Sequence, residues 1–433
     1  MISASPSTNP NRIPRRRWMI GVLLGAGVLV NYFDRNILAV AVPKIQEDFG
    51  FDDVQKGLLL GAFFWPYALL QIPTGLVLDR WGVTRVGRWG AFLWGVISTL
   101  TACTTGFVSL YAARMLLGVV EAPSFPVNAK ATGYWFPKAE RGLATAIFDS
   151  ASKFSTVIGG PIIALVVIKL GWRWGFGFTA ALSLAYFAAF HRLYRDPSAD
   201  PRLTPEEYDH IRRGGAAPEG RSPGGARPML AHLLRSRKIW GLCLGYAAYG
   251  YSFNLFITWL PSYIVKTTHM DLLQSAKIAA IPWIFATISD LVVGGWLIDH
   301  LIRRGGDETR VRKGVLITGM VFGLAVFGAT RTANPYVAVA CISLALSGLA
   351  ATAPVGWSLP ALLAPKGGAG TVGGLMNFMN NLTGVLAPAV TGYIVEKTGS
   401  FDYAFLVAGL VLVGGILAFA LLLGRIEPVP EPA

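Results

Sequence analysis

The sequence predicts an all-α integral membrane protein: twelve transmembrane helices in two pseudo-symmetric six-helix halves. Three observations carry this. Only 14% of the 433 residues are charged and 53% are hydrophobic, whereas a soluble domain averages about 25% charged. The apolar residues fall in runs of the roughly 20 that a helix needs to cross a bilayer, punctuated by 50 Gly and 26 Pro. The runs form two sets of six with matching landmarks. Mean hydropathy is +0.50, which excludes a disordered or fibrous chain, and a soluble enzyme could not draw its polar surface from so few charges.

Residues 1–17 form a polar N-terminal tail ending in Arg15-Arg16-Arg17. The first span is predicted at 18–42. A basic triplet before an apolar run resembles a secretory leader. This run is too long for one and carries Asp34-Arg35 at its middle, so it is expected to stay in the chain. Spans 2 to 6 are predicted at 54–78, 89–106, 108–131, 141–168 and 173–193, closing a first half at 18–193. Residues 194–237 hold Pro197, Pro201, Pro205, Pro218, Pro223 and Pro228 among many charges and read as a cytoplasmic linker. A second half, 238–424, carries spans at 238–265, 273–298, 314–331, 336–363, 371–395 and 402–424, and 425–433 is a C-terminal tail.

The net charge of +14 sits in short segments between apolar runs, so it points to a membrane and not to nucleic acid. Of the 38 Lys and Arg, 27 fall on the side of the N-terminus, 8 on the other side and 3 (Arg35, Arg114, Lys153) within spans. Positive charge stays inside, which places both termini in the cytoplasm and the protein in the plasma (inner) membrane. Cys103, Cys243 and Cys341 show no pairing or metal spacing and read as packing residues.

The two halves repeat. Gly75 to Asp79-Arg80 closes span 2 as Gly295 to Asp299-His300 closes span 8. Pro43 is expected to end span 1 as Pro261 ends span 7. Pro137-Lys138 and Pro161 mark span 5 as Pro365-Lys366 and Pro388 mark span 11. The offsets are 220, 218, 228, 228 and 227 residues, a constancy that argues for duplicated halves of like topology.

Charges inside a span cost about 2.5–3.5 kcal/mol on insertion scales and are functional candidates by default. The first half holds Asp34, Arg35, Arg114, Glu121, Asp149 and Lys153; the second has only Asp290 at depth, with the amides Asn377, Asn380 and Asn381 in span 11. Arg114 and Glu121 lie two helical turns apart on one face, and Asp149 and Lys153 one turn apart, close enough to pair. Adjacent Asp34 and Arg35 differ by about 100° around the axis and cannot face the same neighbour. Pairs of this kind can also serve only to neutralise one another within the bundle, and Asp290 is read as such a structural partner. The histidines, His191, His210, His232, His269 and His300, sit at span ends or in loops, so any proton carried falls to carboxylates.

Four segments resemble the major facilitator superfamily, in particular its anion:cation symporter branch: Asn31-Tyr-x-Asp34-Arg35; Arg114-x3-Gly118-x2-Glu121-Ala-x3-Pro126; Trp135-Phe-Pro137-x2-Glu140-Arg141-Gly142; and Gly171-Trp-Arg173-Trp with Tyr194-Arg-Asp-Pro197. Trp357-Ser-Leu-Pro360, Gly373-Gly-x2-Asn377-Phe and Gly399-Ser-Phe-Asp402-x2-Phe405 extend the likeness to the second half. The branch includes carriers of hexuronates, aldonates and aldarates. The resemblance implies that Arg35 and Arg114 face a central cavity and that Asp34 and Glu121 couple protons. It implies that Tyr32, Tyr67, Trp357 and Asn377 line the substrate pocket, and that Asp79, Arg80 and Asp299 gate it. The sequence departs from the branch in span 5, where Phe148-Asp149-Ser-Ala-Ser-Lys153 replaces Phe-Asn-x-Gly; Lys153 is expected in the pocket.

The expected function is secondary active transport by alternating access, as proton-coupled symport of a small organic anion such as a sugar acid, by a monomer in the bilayer. A facilitative uniporter or exchanger of the same fold, or a membrane sensor, is the alternative. No catalytic constellation, metal cluster or phosphate-binding loop is found, so no enzyme, metal or cofactor is expected.

Overall fold

The protein is described by a computed structural model covering residues 14–217, 219, 226–268, 272–329, 331–332 and 334–431. Residues 1–13 of the predicted N-terminal tail, 218 and 220–225 of the linker, and His269 lie outside the described residues.

Every predicted span coincides with a helix or a run of broken helices. Span 1 is one helix, Arg16–Phe49. Span 2 is three pieces, Asp53–Gly61, Phe64–Leu69 and Gln71–Trp81, bent by 48° before the last. Span 3 is Val83–Ala102. Span 4 is Phe107–Glu121 followed by Ser124–Trp135. Span 5 is Arg141–Leu170 and span 6 Trp172–Leu193. In the second half, span 7 is Arg237–Thr268 and span 8 is Leu272–Ser289, a π-helical turn Asp290–Leu297 and Ile298–Arg303. Span 9 is Glu308–Gly323 with Val326–Ala329, span 10 Pro335–Ser358 and span 11 Ala369–Thr398. Span 12 is Asp402–Leu417, running into the π-helical turn Ala418–Leu422. Among the described residues, five helices are each long and apolar enough to cross a membrane, or up to seven when each bent pair counts as one. Of the others, span 4 is split at Ala122-Pro123, and three asparagines dilute span 11.

Two expectations need correction. Pro43 does not end span 1; it lies inside the helix, which runs on to a left-handed Gly50 cap. The helix of span 7 likewise runs through position 261. A proline costs one hydrogen bond and a local kink, and in these long helices the remaining ladder carries the chain past it. The linker also contains structure: Pro205–Arg213 and Ala226–Leu234 are helical.

The packing repeats as the sequence does. Span 1 lies on span 5 as span 7 lies on span 11, and span 2 meets span 11 as span 8 meets span 5. The last two pairs join the halves. The face carrying both chain ends (the terminal face) is layered over by polar segments. Glu207 of the linker helix, fully buried, accepts from the backbone N–H of Arg16 (3.1 Å) and Arg17 (3.0 Å) and so caps span 1. Arg17 also pairs with Glu140 at 2.6 Å, and His210 lies 3.1 Å from the same carboxylate. Although burial works against it, the Arg17 guanidinium and the hydrogen bond with the His210 ring hold the Glu140 carboxyl below its usual range. Arg312 of span 9 donates to Ser358 Oγ (2.9 Å) and, across the halves, to the Lys138 carbonyl (3.1 Å).

Candidate functional site

Between the halves lies a cavity of about 470 Å³. Its wall includes Tyr32, Arg35, Tyr67, Arg114, Lys153, Trp357 and Asn377, all expected there, and it reaches Ala39 and Ile257 toward the face opposite the chain ends. Such a volume suits a small ligand.

Arg35 is the centre of the wall. Its guanidinium carbon sits 5.0 Å from the Tyr32 ring, 4.6 Å from Phe63 and 4.4 Å from Tyr67, an aromatic cradle that attracts a cation. Its Nε donates to Glu121 Oε2 at 3.1 Å. Glu121 has no exposed surface and lies one side chain behind the wall. It is the last helical residue before the break that Pro123 makes in span 4. Gly118 allows this approach: a Cβ there would collide with the Phe63 carbonyl of span 2.

Arg114 and Glu121, on one face of span 4, do not pair: Arg114 Nη1 donates to the backbone carbonyl of Asp34 at 3.2 Å, and Arg35 takes Glu121. Two turns of helix separate Arg114 from Glu121, about 10 Å along the axis, while span 1 brings Arg35 directly opposite. Arg35 Nη2 and Arg114 Nε are buried without a hydrogen-bond partner among the described residues, as is Glu121 Oε1.

Asp34 turns away from the cavity, as its angle from Arg35 requires. Its carboxylate accepts from Trp94 Nε1 (2.7 Å), Ser98 Oγ and Thr179 Oγ1 (2.9 Å), and has no exposed surface. This places it among spans 3 and 6 and leaves Glu121 as the carboxylate that touches a cavity arginine. Asn377 Nδ2 donates to Gln71 Oε1 at 2.7 Å, with Tyr67 Oη 3.4 Å away, so part of its capacity is spent joining span 11 to span 2. Trp357 packs on Phe125 and Tyr246, with centroids 5.0 and 5.9 Å apart. Lys153 pairs with Asp149 as its spacing predicts, and also with Asp290 of span 8.

Below the cavity, the two acidic span ends close the terminal face. Asp79 accepts from the backbone N–H of Gly370 (2.8 Å) and Thr371 (2.7 Å) and from Thr371 Oγ1 (2.6 Å). Asp299 accepts from the backbone N–H of Gly142 and Leu143, both at 2.8 Å. Each carboxylate therefore caps the N-terminus of a helix in the other half, where the free N–H groups and the helix dipole favour an anion. Asp79 and Asp299, the carboxylates expected to gate the cavity, thus each make a helix cap across the halves. Arg80 is exposed and takes no part in it; Lys130, 1% exposed, pairs with Asp79 at 2.5 Å instead. The sequence signal for Lys130 was a lone lysine in the run Asn128-Ala-Lys130-Ala. Among the described residues no group of His, Cys, Asp and Glu could hold a metal.

The Major Facilitator Superfamily pattern matches residues 24–388 and 306–433. The chain is 41% identical to an uncharacterized transporter, YybO, of Bacillus subtilis (strain 168), over 95% of both chains. It is 34% identical to the probable sulfoacetate transporter SauU of Cupriavidus necator, over 94% of each. It is 32% identical to the probable galactarate/D-glucarate transporter GudP of Escherichia coli (strain K12), over 98% of this chain and 97% of that one. Among solved structures, FucP in its outward conformation matches with a TM-score of 0.72 at 15% identity, over 94% of this chain and 99% of its own. At that identity the likeness is one of fold.

Proposed function

Because the chain belongs to the Major Facilitator Superfamily, and is therefore a multi-pass membrane transporter and not an enzyme, we propose that it carries a small organic acid together with protons. The relatives named for galactarate, D-glucarate and sulfoacetate support an acidic substrate. So does the wall chemistry. Arginine forks suit carboxylate or sulfonate oxygens because they donate two parallel hydrogen bonds, and Arg35 Nη2 and Arg114 Nε have donors to spare. Asn36, Asn380 and Asn381 offer amides to hydroxyl groups.

One observation carries the coupling: Arg35 faces the cavity while bonded to fully buried Glu121. Arg35 and Arg114 balance Asp34 and Glu121, so the cluster is neutral. An anion on the arginines leaves it one charge negative, and a proton on Glu121 restores balance. The proton also releases Arg35 Nε for the substrate, since a neutral carboxyl holds a guanidinium less strongly. Substrate and proton thus favour each other's binding. The positive-inside rule makes the terminal face cytoplasmic, so this state, closed there by Asp79 and Asp299, faces outward. Residues 18–193 and 238–424 would rock as two bodies about the cavity, joined by the linker 194–237.

The test uses protein reconstituted in liposomes, with galactarate, D-galactonate and sulfoacetate as probes. Glu121→Gln imitates the protonated carboxyl but cannot release a proton. It is expected to exchange labelled substrate across the membrane at a rate near wild type while losing accumulation driven by a pH gradient. Full gradient-driven accumulation by the variant refutes Glu121 as the carrier.

A further inference from the structure

A second ion cluster joins the halves. Lys153 of span 5 places Nζ 2.5 Å from Asp149 Oδ2, one turn back on its own helix, and 2.6 Å from Asp290 Oδ2 of span 8. None of the three is more than 4% exposed. Asp149 and Lys153 line the cavity, and the Phe253 ring lies 5.5 Å from the ammonium. Asp290 has no exposed surface, and among the described residues no amide or hydroxyl donates to it. It opens the π-helical turn Asp290–Leu297, an irregularity of a kind frequent at functional sites.

The pseudo-symmetric interface is neutral. Asn377 follows Asp149 by 228 residues, the offset between Pro137 and Pro365. Asn377 meets span 2 through the Gln71 amide, whereas its counterpart meets span 8 through two carboxylates and one ammonium. Fully ionised, that cluster is one charge negative. Tyr246 and Tyr249 of span 7 and Tyr32 of span 1 face it and bring no cation. Arg35 is bonded to Glu121, and span 10, packed on the π-turn, has only Tyr336 and Cys341 as titratable residues and brings no cation. Two acids sharing one cation in a buried site favour a proton on one of them, because no solvent stabilises the excess charge.

We propose that Asp149 and Asp290, bridged by Lys153, form a second proton-binding site that is loaded and emptied in the transport cycle. The proton adds to a carboxyl oxygen from cavity water and leaves from the same oxygen; no other bond forms or breaks. Loaded, the interface between spans 5 and 8 is neutral. Emptied, it holds an unbalanced charge in the same span 5–span 8 interface as the Gly142 and Leu143 contact of Asp299, about two helical turns away, so its protonation state bears on whether that interface stays shut. With Glu121 as the first site, a monovalent anion would enter with two protons and uptake would respond to membrane potential.

The proposal rests on the proton-coupled reading, and its test separates the two. Infrared difference spectra of purified wild type in lipid, taken between acidic and alkaline pH without substrate, should contain a protonated-carboxyl band. That band should be absent from Asp290→Asn and from Asp149→Asn and kept in Glu121→Gln. Each aspartate variant retains a one-to-one pair with Lys153, so both are expected to fold. In liposomes, whichever of D-galactonate, galactarate and sulfoacetate is accumulated should enter with one proton fewer in Asp290→Asn. An unchanged band and an unchanged proton ratio in both aspartate variants overturn the second site. If wild type accumulates none of the probes under a pH gradient, the proton-coupled reading fails, while the infrared result still decides the site.

Discussion

Asp79→Asn should unlock the terminal face. In the closed state the carboxylate accepts three hydrogen bonds from the other half, from Gly370 N, Thr371 N and Thr371 Oγ1 at 2.6–2.8 Å. It is 3% exposed, so water cannot stand in. Hydrogen bonds to a charged group contribute about 1.5–3 kcal/mol each, against about 0.5–1.5 for neutral pairs. Asparagine fits the space, but only its oxygen accepts, and its amide points a donor at donors. Weakening two bonds by about 1 kcal/mol each and losing most of the third removes about 3 kcal/mol. The bonds exist only while the face is closed, so the loss falls on the conformational equilibrium, a shift of roughly 100-fold toward opening at 1.4 kcal/mol per tenfold. Lys130, left without its counter-ion at 1% exposure, pushes the same way. The measurement is a spin-label distance between Arg85→Cys and Lys366→Cys, exposed near the two partners of the clamp, in a background without native cysteines. Wild type should give one short distance and Asp79→Asn a dominant long one. Asp299→Asn, with two backbone donors, should shift it less. A distribution identical to wild type in both variants would refute the reasoning that these caps are the lock.

Gly118→Ala should drive a methyl into the Phe63 carbonyl and Pro66, an overpacking worth about 1–3 kcal/mol. It should lower the melting temperature in detergent and, by displacing Phe63 from Arg35, weaken anion binding; Gly61→Ala, with nothing within 4 Å, should do neither. Glu140→Gln should be less stable than wild type at neutral pH, by about 1–3 kcal/mol for the lost charged bonds. Because the folded carboxyl titrates below its usual range, its contribution is present above that range and disappears as pH falls through the lowered value. The melting-temperature gap should therefore close in acid; a gap that persists there would assign the effect to packing.

What the sequence determined by itself is whatever a single helix can decide. Run length and charge scarcity mark the spans. The recurrent offsets mark two like halves. Within one helix, periodicity fixes neighbours: Lys153 must reach Asp149, and Asp34 must diverge from Arg35. The structure keeps the Lys153–Asp149 pair and the divergence of Asp34 from Arg35. Local rules erred at Pro43, where they see a breaker and the helix continues. Only the tertiary structure decided which helix faces meet. Glu121 belongs to Arg35, 86 residues away, and Asp79 to Gly370, 291 away. Asp290 belongs to Lys153, and Lys130 to Asp79. No periodicity links such residues. In a bilayer the hydrophobic effect does not select among helix faces either, because lipid is as apolar as leucine. Close approach at small residues such as Gly118, and the pairing of charges that hydrocarbon cannot solvate, set the register instead.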